Sequence, residues 1–374
     1  MAAAFASGAG NASSVHWAGA RARAILEASR EEVAAAIGAH PTEIVFTSGA
    51  TEANNIAIAG VAASLPGPLT VAVPTSEHSS VLGPARALAA RGHTVVLLPV
   101  SGAGLTESAA VTRVDADLLS VALVNAETGV IQDCAALSVA ARRRKTLVHV
   151  DAAQAVAVLA IDVDALGADL LTLSGHKLGG PPGTGALYVR RGTHLEPLEH
   201  GGPQEHGLRP GSENVPALAG FAAALGAAVC ARAREAERLA ELTDRLRDGI
   251  RTAWPAARFA GEHRSAGERS QLQHAPHILN VAFPGVEGES LVAALDLEGI
   301  AVSAGSACAA GAAKPSHVLL AMGWSPQEAK SALRISLGWA STTADVDEIL
   351  TVLPRVLERA RRRNEETAWP AHAS

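Results

Sequence analysis

The sequence predicts an α/β fold: a large domain on a mostly parallel sheet covered by helices, then a smaller C-terminal α+β domain. Three observations carry that expectation. Short apolar runs alternate with longer helical patterns from about residue 43 to residue 190, the spacing of strand–helix–strand units. The chain has 374 residues, more than one hydrophobic core usually organises, so two domains are expected. After Pro255 the alternation gives way to a few strands and helices of a different order. The expected divisions are a flexible start over 1–13, a large domain over 14–250, a small domain over 251–362 and a tail over 363–374.

Composition narrows the function classes. Apolar residues make up 48% and charged residues 18%, which allows a large core and argues against disorder. A formal charge of −6 leaves no basic footprint for nucleic acid. Three cysteines, Cys134, Cys230 and Cys308, are too few and too odd in number for a disulfide framework, and they fit a reducing cytoplasm. No apolar run is read as a membrane span, and no basic stretch precedes an apolar one at the N-terminus. The expectation is a cytoplasmic protein without a membrane partner, and no residues are assigned to a metal.

Taken in order, Val15 to Ile37 carries a helical stripe, and Glu43 to Thr47 reads as a strand. That strand feeds Ser48-Gly49-Ala50-Thr51-Glu52-Ala53-Asn54-Asn55, where a glycine turn opens a helix. Free N–H groups and the positive dipole end make such a turn a natural phosphate seat. A plain N-cap would look the same. Leu69 to Val73 is the next strand, and it ends at Ser76-Glu77-His78-Ser79-Ser80. His78 at a strand end could stack on a flat ring or merely bond locally. Val95 to Val100 and Leu118 to Val124 follow, the latter running into the polar turn Asn125-Ala126-Glu127-Thr128-Gly129. Leu147 to Val150 delivers Asp151 and Gln154. A buried carboxylate there needs a cationic partner, such as a protonated pyridine nitrogen, unless it only caps a helix.

Asp169 to Leu173 is a further strand, and it leads into Ser174-Gly175-His176-Lys177-Leu178-Gly179-Gly180-Pro181. Lysine is rarely buried unless it is paired or chemically used. At the mouth of an apolar strand, Lys177 reads as a Schiff-base amine for an aldehyde cofactor such as pyridoxal phosphate. A surface lysine in a loop is the bland alternative. Residues 221 to 252 read as one long helix, 278–283 and 300–303 as strands around a helix over 289–297, and 326–334 and 345–362 as helices. The arginines of 355–363 read as a solvated helix face. Cys308 sits in a Gly/Ala-rich segment, 304–316, that cannot pack a core, so its thiol is expected to be exposed and reactive. Cys230, on an alanine-rich helix, reads as an inert core residue, and Cys134 has no evident role. Arg334, set in an apolar run, suits bidentate capture of a carboxylate or a structural ion pair.

Taken together, these stretches resemble the NifS/IscS-type cysteine desulfurases, pyridoxal-phosphate enzymes of the class V aminotransferase fold. The likeness runs from Gly10-Asn11-Ala12-Ser13-Ser14 through Phe46 to Asn55, His149 to Gln154 and Ser174 to Lys177. It continues through Gly201 to Glu205, Leu208 to Asn214, Ser303 to Cys308 and Arg334 to Gly338. It implies the pyridoxal-phosphate transferase fold of type I. It also implies that Lys177 bears the cofactor and moves protons, Asp151 pairs with the pyridine nitrogen, Gln154 contacts the phenolic oxygen, and His78 stacks on the ring and takes part in catalysis. Thr51, Ser174 and His176 would hold the phosphate with Ala50 beside them. Asn125 would add a cofactor contact, and Arg334 with Asn11 would bind substrate. Ser212 would come from the second subunit, which implies a homodimer with shared active sites. Cys308 would attack the sulfur of L-cysteine, carry it as a persulfide, release alanine and hand the sulfur to an acceptor protein, a scaffold or carrier. Ala126 stands where such enzymes commonly carry a second asparagine, Trp339 stands where they carry an arginine, and their usual opening strand does not precede Gly10. Two alternatives stay open: another class V lyase, such as one acting on selenocysteine, or a truncated, non-catalytic relative that serves as a binding partner.

Overall fold

The structure, a computed structural model, describes residues 1–6, 10–262, 274–305 and 314–367, with side chains as far as Arg362. The chain divides into two compact units. The first holds Met1–Pro99, Thr106–Val124 and Gln132–Ala233, and the second holds Val100–Leu105, Asn125–Ile131 and Arg234–Ser374.

The first unit is built on seven strands: β1 (Ile44–Thr47), β2 (Thr70–Pro74), β3 (Thr94–Leu98), β4 (Leu118–Ala122), β5 (Leu147–Asp151), β6 (Leu170–Ser174) and β7 (Gly185–Val189). Their order is β1-β7-β6-β5-β4-β2-β3, and β7 alone runs against the others. β1, β4 and β6 are buried along their whole length, which requires apolar cover on both faces and explains their unbroken apolar runs. The helices Ala50–Ser64 and Ser79–Ala89 supply part of that cover through Ile56, Ile58, Val61, Val81 and Leu88, packed with Val71, Val73, Leu118 and Leu170. The edge strand β3 is the exception, with Leu97 57% exposed. β7 escaped the sequence reading because glycines and prolines surround it.

The second unit carries a four-stranded antiparallel sheet, β10-β11-β9-β8, made of β8 (Arg258–Phe259), β9 (Ile278–Ala282), β10 (Ser303–Ala304) and β11 (Ala332–Ser336). Its core gathers Phe259, Leu279, Val281, Phe283, Leu291, Leu295, Leu333, Ile335, Val346 and Ile349. The expected helix over 326–334 ends at Lys330, where the Ser331 hydroxyl donates back to the Glu328 carbonyl. The apolar run that follows pairs with β9 as a strand; so short a run carries no periodicity to separate helix from strand. The strand expected over 300–303 is reduced to Ser303–Ala304.

Two further expectations need correction at the helix Val215–Ala253. Cys230 is exposed rather than in the core, because alanine on every side of a helix conceals which face is inside. The same alanines make this helix long and apolar enough to cross a membrane by length and composition alone. Its bulky residues Phe221 and Leu225 are nonetheless buried in the protein. The arginines near the C-terminus behave as expected: Arg355 and Arg359 are exposed and pair with Glu298.

One buried ion pair fixes the loop over 201–214 in the first unit. Arg30, on the helix Trp17–Ala36, donates to both Glu205 oxygens at 2.8 Å, and Glu205 also accepts the Phe46 N–H at 2.7 Å. Glu205 and His206 both adopt left-handed backbone angles, φ 47° and 59°, which non-glycine residues hold only when their surroundings impose them. Removing one member leaves the other charge buried and unpaired. Glu205→Ala is expected to lower stability by about 3–5 kcal/mol, read as a shift of the urea midpoint. A loss below about 1 kcal/mol would show that the pair behaves like a solvent-exposed one.

Candidate active site

The candidate residues of the first unit gather at the carboxyl ends of its parallel strands, where ligands collect in sheets of this kind. β1 ends at Thr47 and turns through Gly49 into the helix Ala50–Ser64. Gly49 has φ 147°, and a Cβ on Gly185 of β7 would sit 2.7 Å from its Cα, so the turn and the strand touch backbone to backbone. No side chain caps this helix start. Ala50 and Thr51 therefore open a helix whose first N–H groups are left for a ligand. Glu52 braces the turn: it accepts the Ser48 N–H and pairs with Arg209 at 3.0 Å. Burial pushes its carboxyl up, but the Ser48 hydrogen bonds and Arg209 outweigh this and hold it below the usual range.

Asp151 closes β5, buried between Ala122 of β4 and Thr172 of β6. Its Oδ1 accepts the Ala153 N–H at 3.0 Å and its Oδ2 accepts Asn54 Nδ2 at 2.8 Å. No helix starts there, and among the described residues no cation pairs with it. Burial pushes its carboxyl up, although the Ala153 and Asn54 hydrogen bonds and His78 pull the other way. His78 follows β2 and caps the helix Ser79–Ala89, its Nδ1 accepting the Ser80 N–H at 3.1 Å. Its ring is otherwise exposed, so local bonding and an open ring face coexist. His149 lies inside the sheet between Ser120 (2.8 Å) and Thr172 (3.0 Å), and burial pushes it down to about 3. It serves the fold as a neutral ring.

At the end of β6, Ser174 lies 3.0 Å from His176 Nδ1 across the short turn Gly175–Leu178. Burial and the Lys177 ammonium beside it hold His176 below the usual histidine range. Lys177 itself is exposed in that turn, and Gln154 is half-buried three residues beyond Asp151. Asn11 is exposed, its Oδ1 accepting the Ser13 N–H, and Ser212 is exposed on the loop that Glu205 anchors.

In the second unit, Arg334 on β11 donates to the Ala126 carbonyl at 3.1 Å, while its buried Nε has no hydrogen-bond partner. Among the described residues it forms no ion pair. Asn125 spends its Oδ1 on its own turn, accepting from the N–H groups of Glu127 and Thr128 and from the Thr128 hydroxyl, each at 3.0 Å. Cys308 lies outside the described residues. Cys134 is buried, and its surroundings push its thiol up, burial first and the Glu77 charge second, so it is unreactive.

Sequence reasoning passed over three residues that complete the first unit's cluster: Asn54, Ser80 and Glu77. A polar side chain facing inward from a helix gives no signal until its partner is known. Glu77 is fully buried, accepts the Ala122 N–H at 3.0 Å and is pushed up to about 8 by burial and then by the Asp151 charge. Two neighbouring carboxyls cannot both ionise cheaply, so a charge on Asp151 adds to burial in holding the proton on Glu77. The sign for stability follows. Between about 4.5 and about 8 the folded protein holds a proton that the unfolded chain releases, so stability falls as pH rises through that window. In the apoprotein, Glu77→Gln is expected to flatten that fall by up to about 1.4 kcal/mol per pH unit. Denaturant melts across the window check it, and parallel pH profiles for the two proteins would refute it.

The whole cluster suits a flat, phosphate-bearing aldehyde whose ring carries a protonated nitrogen. It offers a buried carboxylate without a cation, an orphaned Asn54 Oδ1, an open histidine face, an uncapped helix start and a lysine. Comparison with known proteins agrees. The aminotransferase class-V family model matches residues 1–349. A cysteine desulfurase, IscS 1 of Archaeoglobus fulgidus, is 40% identical across 94% of this chain and 91% of its own. A NifS-like protein of solved structure superposes with a TM-score of 0.85 at 32% identity, covering 94% of this chain and 92% of that one. SspA, solved in complex with cysteine, gives a TM-score of 0.76 at 32% identity, over 90% of this chain and 95% of its own. The chain belongs to the class-V aminotransferases and, among them, to the pyridoxal-phosphate-dependent cysteine desulfurases.

Proposed function

We propose that this enzyme removes the sulfur of L-cysteine, holds it as a persulfide on Cys308, releases L-alanine and passes the sulfur to an acceptor protein. The observation that carries the reading is Asp151, a buried carboxylate with no cation paired to it among the described residues, on the same sheet edge as Lys177. Bound pyridoxal phosphate supplies the electron sink for the pair left when the substrate Cα loses its proton. Everything else falls to the chain's own residues.

Lys177 Nζ would hold the cofactor's aldehyde and move the substrate's Cα proton. Asp151 would keep the pyridine nitrogen protonated, His78 would lie against the ring, and Gln154 would reach the phenolic oxygen. Ala50, Thr51, Ser174 and His176 would hold the phosphate, joined by Ser212 of a second copy, so the working form is a homodimer. Arg334 would fix the substrate carboxylate, with its unpartnered Nε as a donor while Nη1 is held by the Ala126 carbonyl. Asn11 would join it at the substrate. The Cys308 thiolate attacks the substrate sulfur: an S–S bond forms, the C–S bond breaks, and the bonding pair stays with carbon and is neutralised by a proton. No outside oxidant is needed. A thiol that must be reduced again between turnovers fits a cytoplasmic setting.

Two substitutions separate the roles. Lys177→Ala is expected to lose the visible absorption band of bound cofactor and all alanine release. Arg334→Ala is expected to raise KM for cysteine about 10- to 100-fold, the worth of hydrogen bonds to a charged group, with a smaller change in kcat. Alanine release by Lys177→Ala, or an unchanged KM in Arg334→Ala, would overturn the assignment.

A further inference from the structure

The residues around Asp151 form a directed chain of hydrogen bonds. Asn54 is fully buried on the helix Ala50–Ser64, and its Nδ2 lies 2.8 Å from Asp151 Oδ2 and 2.8 Å from Ser80 Oγ. A carboxylate only accepts, so the amide must present its nitrogen, and its two protons go one to each oxygen. Ser80 Oγ thereby accepts a hydrogen bond, and its own proton is left to point at the next polar atom it meets, His78 Nδ1, at 2.8 Å. The Ser80 backbone N–H points at the same Nδ1 from 3.1 Å. Two donors converge there, so Nδ1 is the bare nitrogen and the neutral ring carries its proton on Nε2.

We infer that Asn54 and Ser80 are positioning residues that wire Asp151 to His78, setting the tautomer and tilt of the His78 ring so that Nε2–H is its free, outward donor. The inference rests on the reading of Asp151 and His78 as the two contacts to the cofactor ring. It adds that these contacts are one unit. A change at the carboxylate reaches the histidine through the Asn54 amide and the Ser80 hydroxyl, so the two side chains respond together. Asn54 Oδ1, buried and without a partner, shows what holds the wire in one direction. Flipping the amide would relieve that oxygen and place it against a carboxylate, which repels it.

The wire exists without cofactor, so it is tested in the apoprotein. The measurement is the ¹⁵N spectrum of the His78 ring at a pH where the ring is neutral. The expected result is a bare, hydrogen-bonded Nδ1 and a protonated Nε2. Ser80→Ala should move the Nδ1 resonance downfield, Ser80→Thr should restore it, and Ser79→Ala, one residue away, should leave it alone. Asp151→Asn should displace the same resonance, and in the Ser80→Ala background that displacement should fall by at least half. Asn54→Leu should act like Ser80→Ala; if that variant does not fold, the Asp151 and Ser80 cycle decides the matter without it. A proton on Nδ1, or a displacement by Asp151→Asn that is the same with and without Ser80, would overturn the inference. A holoprotein that binds pyridoxal phosphate but fails this test keeps its proposed function. A protein that passes it yet binds no cofactor keeps the wire and loses the function.

Discussion

A buried carboxylate that no cation among the described residues pairs with is the constraint on which the proposed site depends. Asp151 is held at the carboxyl end of β5, with strands on both sides and apolar residues around it. An unpaired carboxylate in such a place is costly, and a cation bound against it relieves that cost. Glu77, close by, is pushed up to about 8 by burial and then by the Asp151 charge, so it keeps its proton well above the usual carboxylate range. Asn54 and the Ala153 N–H each give Asp151 one hydrogen bond, which orients the carboxylate without neutralising it.

The remaining pieces are set by backbone geometry. The strands bring their ends to one edge, and the close approach of Gly185 to Gly49 fixes where the helix Ala50–Ser64 begins. The Arg30–Glu205 pair does the same for the loop that presents Ser212, holding two residues in backbone angles they would not adopt alone. Here stability and function draw on the same contacts. Within the second unit, Arg334 is aimed by the Ala126 carbonyl and left with an unpartnered donor. In the proposed function a substrate carboxylate would complete that arrangement, as a pyridinium nitrogen would complete Asp151's.

Much of this was legible in the sequence because it is local. Strand ends, glycine turns and a lysine after an apolar run are read from neighbours along the chain, and they led to Thr51, His78, Asp151, Ser174 and Lys177. What stayed hidden depends on partners far apart in sequence. Asn54 and Asp151 are 97 positions apart, and Arg30 and Glu205 are 175 apart, so neither contact leaves a pattern. Alanine was the second source of error. Along Val215–Ala253 it marks neither inside nor outside, which put Cys230 in the core and concealed an apolar window long enough for a membrane. Short apolar runs were the third, since Ala332 to Ile335 fits a helix or a strand until β9 is seen beside it.

The most direct test of the account is a single turnover of the holoenzyme with a limiting amount of L-cysteine, read by mass spectrometry of its cysteine peptides beside the amino-acid product. The account predicts one added sulfur on the Cys308 peptide, none on those of Cys134 and Cys230, and one alanine released for each sulfur bound. Pyruvate and free sulfide in place of alanine, or the added sulfur on exposed Cys230, would contradict it.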